Sequence, residues 1–155
     1  MQRGANADGK AGKVDVNFRD GYLGATPLLG AAENGHEAMV KLLLETGKVD
    51  VNLGNRYNVT PLLRAAENGH EAVVKLLLET GEVHVNSKNA FGETPLWVAA
   101  SHGHEAVVKL LLETGKVEVN SNNNYGRGTP LMVAAEKGYE AVVKLLSQPP
   151  HHPRP

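Results

Sequence analysis

The chain contains no cysteine, which removes disulfide frameworks, thiolate zinc sites and cysteine nucleophiles. Neither sign of charge is in excess, with 16 Lys plus Arg against 17 Asp plus Glu. Nucleic-acid binding depends on clustered cations that neutralise phosphates, and no basic stripe supplies them. No apolar run approaches the ~20 residues of a membrane-spanning helix. The opening MQRGANADGKAGK also lacks the hydrophobic stretch of a signal peptide. An intracellular, cytoplasmic setting is therefore expected, with neither nucleic acid nor membrane as partner. Phosphate-cradling glycine loops, Gly-x-Ser-x-Gly and His-Glu-x-x-His are missing as well. Ser87, Ser101, Ser121 and Ser147 have no base placed beside them by the pattern. No enzymatic activity, cofactor or metal is expected.

What the chain does have is one sentence written four times. TPLLGAAENGHEAMVKLLLETGKVDVN starts at Thr26, and TPLLRAAENGHEAVVKLLLETGEVHVN starts at Thr60. TPLWVAASHGHEAVVKLLLETGKVEVN follows at Thr94, and TPLMVAAEKGYEAVVKLL at Thr129. The intervals are 34, 34 and 35 residues, and the first two blocks agree at 23 of 27 positions. A period of this length signals stacked units that share one extended core, not a globule around a pocket.

The physics of one unit is legible. In the second, Thr60 is placed to cap a helix whose first residue, Pro61, has the fixed φ that helix starts favour. Ala65 and Ala66 leave room for a neighbouring backbone, and Gly69 closes the short helix in the left-handed conformation. A second helix, HEAVVKLLLET, is apolar around much of its circumference and must be covered by other helices. The Gly/Asn-containing stretch before Thr94 is expected to fold back as a hairpin-like loop. The pattern predicts helix pairs over 26–34 and 37–46, 60–68 and 71–80, 94–102 and 105–114, and 129–137 and 140–147. Glu37, Glu71, Glu105 and Glu140 each precede a Lys by four residues, the spacing of a helical ion pair on a solvated face.

The order TPL..AA..GH...V..LL...G..VN at this period resembles the ankyrin repeat. The 34-residue unit, one longer in its TGKVDVN turn, is similar to ankyrin arrays common in fungi. The resemblance implies an all-α ankyrin repeat solenoid of about four helix-turn-helix units joined by hairpin-like loops. It covers residues 13–148, after a flexible or degenerate segment 1–12 and before a proline/histidine-rich tail 149–155. The family's usual TPLH is altered, because Leu29, Leu63, Trp97 and Met132 occupy the histidine position. Residues 13–17 copy the tail of a unit without its preceding helices, and the last helix stays apolar. Solenoid ends normally carry polar outer faces. These ends point to a fragment of a longer array, or to self-association through uncapped apolar faces.

Candidate sites follow from where the copies agree or differ. His36, His70 and His104 recur in one slot, roughly 10 Å apart if successive helices pack normally, too far to share a metal ion. Their role is read as structural, and His84, His102, His151 and His152 are not assigned a metal site. Tyr22, Tyr57, Phe91 and Tyr125 each lie two residues after an Asp or Asn, a ladder of rings along the loop tips. The rings either pack the loops together or serve as partly exposed anchors. The first helix varies at Gly30, Arg64, Val98 and Val133, at Leu29, Leu63, Trp97 and Met132, and at its end, including Ser101 and His102. The resemblance implies that loop tips and first helices line a concave face that recognises a protein partner. Trp97, the single Trp, and Arg64 beside it are the sharpest candidates, with Tyr22, Tyr57, Phe91, Ser101, His102, Tyr125 and Met132 around them. The other reading is a consensus-like or truncated structural array with no specific partner of its own.

Overall fold

The computed structural model describes residues 14–148. Eight helices alternate short and long: α1 (Pro27–Glu33), α2 (Glu37–Glu45), α3 (Pro61–Glu67), α4 (Glu71–Glu79), α5 (Pro95–Ser101), α6 (Glu105–Glu113), α7 (Pro130–Lys137) and α8 (Glu140–Ser147). Each predicted pair is present, with ends moved by a residue. The segments 1–12 and 149–155, with His151 and His152, lie outside the described residues.

Every first helix starts the same way. Thr26, Thr60, Thr94 and Thr129 accept the backbone N–H three residues on, and proline takes the first helical position. Gly69 closes α3 at φ +74°. The second helices end on Thr46, Thr80 and Thr114, whose hydroxyls donate to Leu43, Leu77 and Leu111 carbonyls. The first helices α1, α3, α5 and α7 pack side by side in one layer, and α2, α4, α6 and α8 form the other. Between the layers runs one continuous core, including Leu28, Leu62, Leu96, Val74, Val108, Leu77 and Leu111. Ala65, Ala66, Ala99 and Ala100 are buried there because only a methyl group fits between adjacent helices.

The connections are turns held by side chains. Among the described residues there is no strand, so the expected hairpin is reduced to a loop tip closed by local backbone bonds, as from Asn55 N–H to the Val59 carbonyl and from Asn58 N–H to the Asn55 carbonyl. Asn55, Asn89 and Asn123 each accept two backbone N–H groups of their own loop through Oδ1. At the other end of each turn, Asn17, Asn52 and Asn86 bridge to the next unit. Asn52, for example, donates through Nδ2 to the Glu82 carbonyl and accepts through Oδ1 from His84 N–H. The solvated Glu-to-Lys rows form no ion pair. Among the described residues the one ion pair is Arg64–Glu67.

Candidate recognition surface

The repeated slots are structural. His70 Nε2 donates to the Glu33 carbonyl at 2.9 Å and His104 Nε2 to the Glu67 carbonyl at 2.8 Å, so each ring ties its unit to the preceding one. The ring lies against the preceding glycine: a Cβ on Gly69 would sit 2.6 Å from His104. That glycine is therefore required twice, for its positive φ and for its missing side chain. Among the described residues no group of His, Asp and Glu could hold a metal ion.

The variable positions divide sharply. Trp97 is 2% exposed, and its indole N–H donates to the Gly128 carbonyl at 2.9 Å. The Arg127 guanidinium lies over the same ring, 5.5 Å from its centroid. Trp97 is thus not the surface anchor expected of it. The larger ring replaces Leu because the loop before α7 has one extra residue, and Gly128, at φ +92°, turns its carbonyl onto the indole. Ser101 is also no contact residue. It is buried, and the Lys137 ammonium donates to both its carbonyl and its hydroxyl. His102 stays on the surface, where its Nδ1 donates to the Val98 carbonyl and its ring stacks on His104 at 6.0 Å.

The ring ladder forms in part. Tyr57 stacks on Phe91 at 6.4 Å, and Phe91 meets Tyr125 at 6.1 Å. All three remain exposed on one side. Tyr22, 78% exposed, has no such partner among the described residues. Its loop is one residue longer, so Leu23 and not Tyr22 accepts the Arg56 N–H, a rung that Tyr57 provides to Ala90 in the next loop. Met132 is 60% exposed, although Leu29, Leu63 and Trp97 in the same slot are buried, because no described unit follows α7 and α8.

Between the second and third units the ladder borders a shallow cleft of about 190 Å³ lined by Tyr57, Arg64, Glu67, Phe91, Glu93 and Val98, among others. Arg64 Nη1 contacts Glu67 Oε1 at 2.6 Å, yet Arg64 Nε is buried with no acceptor. Glu93 accepts from the Asn89 side-chain amide through one oxygen. Glu67 repeats the Glu33 of the first unit and carries no signal in the sequence, whereas Glu93 replaces Ala25 and Val59 of its slot in a loop that differs between copies. Arg64 was visible as a difference between copies, and the two rings as a recurrence in phase with the repeat.

Paired helices, capped by Thr-Pro and locked by the ring of His70, His104 or Tyr139 on the glycine of the unit before, recur along the chain. A sequence model of ankyrin repeats (3 copies) matches residues 9–89 and 81–153. The chain belongs to the ankyrin repeat family. Ankyrin repeats are generally protein–protein interaction modules and typically lack catalytic activity. No curated protein matches this ankyrin chain. Among its described residues no helix is long and apolar enough to cross a membrane.

Proposed function

We propose that this ankyrin array recognises a protein segment through the loop and first-helix face of its second and third units, without chemistry. One observation carries the reading. Half-exposed, stacked rings of Tyr57 and Phe91 stand beside Arg64, whose Nε is a buried donor without an acceptor. A buried donor left unpaired costs on the order of 1–3 kcal/mol, which a bound carbonyl or carboxylate would recover. The cleft is smaller than the roughly 300–1,000 Å³ of small-molecule sites but accommodates a side chain of a partner. An apolar or aromatic residue between the rings, next to a hydrogen-bond acceptor, is the complementary pattern. Tyr125, against Phe91, extends the same exposed face, whereas Met132 lies on the end of the array. Trp97 and Ser101 act beneath it, by fixing the fourth unit.

Panning a peptide library on the folded chain tests this reading. Selected peptides are expected to lose about tenfold or more in affinity on Arg64→Ala or on Tyr57→Ala with Phe91→Ala, the loss typical of central interface anchors. Lys109→Ala, on the solvated face of α6, is expected to change nothing. Peptides indifferent to the groove variants, or no peptides at all, would favour the structural-array reading.

A further inference from the structure

We propose that the two ends of the array are the two halves of one repeat–repeat interface, and that a second copy of this chain docks on them head to tail. This goes beyond the groove and uses none of its residues. Each junction inside the chain has three parts, and each end exposes the matching part that the other end lacks.

The apolar part comes first. Met39 is 49% exposed, whereas Val73, Val107 and Val142 in its slot are 1% exposed. Leu42 beside it is exposed too. At the opposite end Met132 and Ala135 are exposed, whereas Leu63 and Ala66 in their slots are buried. One end thus presents the receiving face of a unit, and the other presents the face that such a unit receives.

The second part is a ring seated on a glycine. Gly35, Gly69 and Gly103 each lie under the ring of His70, His104 or Tyr139 in the next unit, within 2.9 Å of where a Cβ would stand. Gly138, in the same slot of the last unit, has nothing within 4 Å. His36, in the ring's slot of the first unit, is exposed and makes no side-chain hydrogen bond among the described residues. The third part is the asparagine bridge. Asn17, Asn52 and Asn86 accept from Asp50, His84 and Glu118 N–H groups. In the same register Asn120 is exposed, and Asp15, the matching donor position before the first unit, is exposed as well.

A foreign partner would have to supply an apolar face, a ring and a backbone N–H at the spacing of this repeat. The chain's own opposite end already does so, because its units are near copies. Docking would continue both layers, α7 on α1 and α8 on α2 of the second copy, covering Ala135 and Met132 at one end and Met39 and Leu42 at the other, place that copy's His36 on Gly138, and join Asn120 to its Asp15 N–H. Such a contact joins two different surfaces and does not close on itself, so it propagates into linear chains.

Sedimentation velocity over a concentration series tests the proposal. The unaltered chain is expected to pass from monomer through dimer to longer species. Met39→Glu and Ala135→Glu each place a charge on an exposed end, so both are expected to keep the wild-type circular dichroism. Each alone is expected to remain monomeric where the wild type associates, and a mixture of the two to give dimer and nothing larger. His36→Ala is expected to weaken association about tenfold, the equivalent of about 1.4 kcal/mol for one well-seated hydrogen bond. A wild type that stays monomeric throughout overturns the proposal. So does Ala135→Glu that dimerises like the wild type, which would indicate a face-to-face pair, and so does a mixture that remains monomeric.

Discussion

Trp97 and Met132 hold the same slot of consecutive units, so a reading of the repeat alone assigns their substitutions equal weight. Their surroundings assign opposite weights. Trp97 is buried against the fourth unit and bonded to the Gly128 carbonyl, whereas Met132 is mostly solvated. A buried aromatic removes roughly 150–250 Å² from water, which at ~25 cal/mol per Å² is about 4–6 kcal/mol as an upper bound. Truncation of buried Trp to Ala ordinarily costs about 3–5 kcal/mol. Met132→Ala, at a site that keeps most of its water contact, is expected to cost less than about 1 kcal/mol. Urea unfolding followed by circular dichroism measures the difference. With a slope of about 2 kcal/mol per molar urea, Trp97→Ala moves the midpoint down by about 2 M and Met132→Ala by under about 0.5 M. Trp97→Phe keeps most of the apolar area but strands the Gly128 carbonyl, and is expected to cost about 1–3 kcal/mol, since the smaller ring adds to the lost bond. Because each unit leans only on its neighbours, hydrogen-exchange protection in α7 and α8 is expected to fall before that in α3 and α4. Equal midpoints for Trp97→Ala and Met132→Ala would refute the packing argument.

Gly69→Ala is expected to destabilise more than Gly138→Ala, by about 1 kcal/mol or more. Both carry the left-handed penalty of roughly 1–2 kcal/mol, but only Gly69 lies under a ring, and thermal unfolding of the pair checks it. Asn86→Ala removes two bonds between successive turns and is expected to cost about 1–3 kcal/mol, against near zero for Asn120→Ala in a dilute monomer, as read from urea midpoints. Asp20 stands where later loops have Asn, and the N–H of Ala25 above all, with those of Gly24, Tyr22 and Leu23, holds its carboxyl below the ordinary 3.8. A lowered folded value means its stabilisation is complete above the ordinary value and is lost as pH falls through the lower one. Asp20→Asn keeps the acceptor and is expected to flatten acid unfolding in that window, measured by titration of the folded fraction.

Much of the architecture was legible because it is local. Thr60 and Pro61 start α3 through bonds within one turn, Gly69 ends it through its own φ, and four in-phase copies can bury their leucines only by stacking. The groove was legible in outline, since Arg64, Tyr57 and Phe91 differ or recur on a fixed register. Its errors have a common cause. Trp97 and Ser101 break the pattern and Tyr22 keeps it, but a change elsewhere in the chain can absorb a break or displace a recurrence. The extra residue before Thr129 gives Trp97 a carbonyl to bond, Lys137 covers Ser101, and the longer first loop shifts Tyr22 out of the ladder.

Period, caps and core-facing residues follow from the chain by itself, because the caps form within one helical turn and the apolar spacing inside a single helix marks its core-facing side. Which of the differing residues face solvent depends on atoms some 31 to 36 residues away, as the Trp97–Gly128 and Lys137–Ser101 contacts show. Those distances close only when one unit stacks on the next, and there the tertiary structure alone decided between anchor and core.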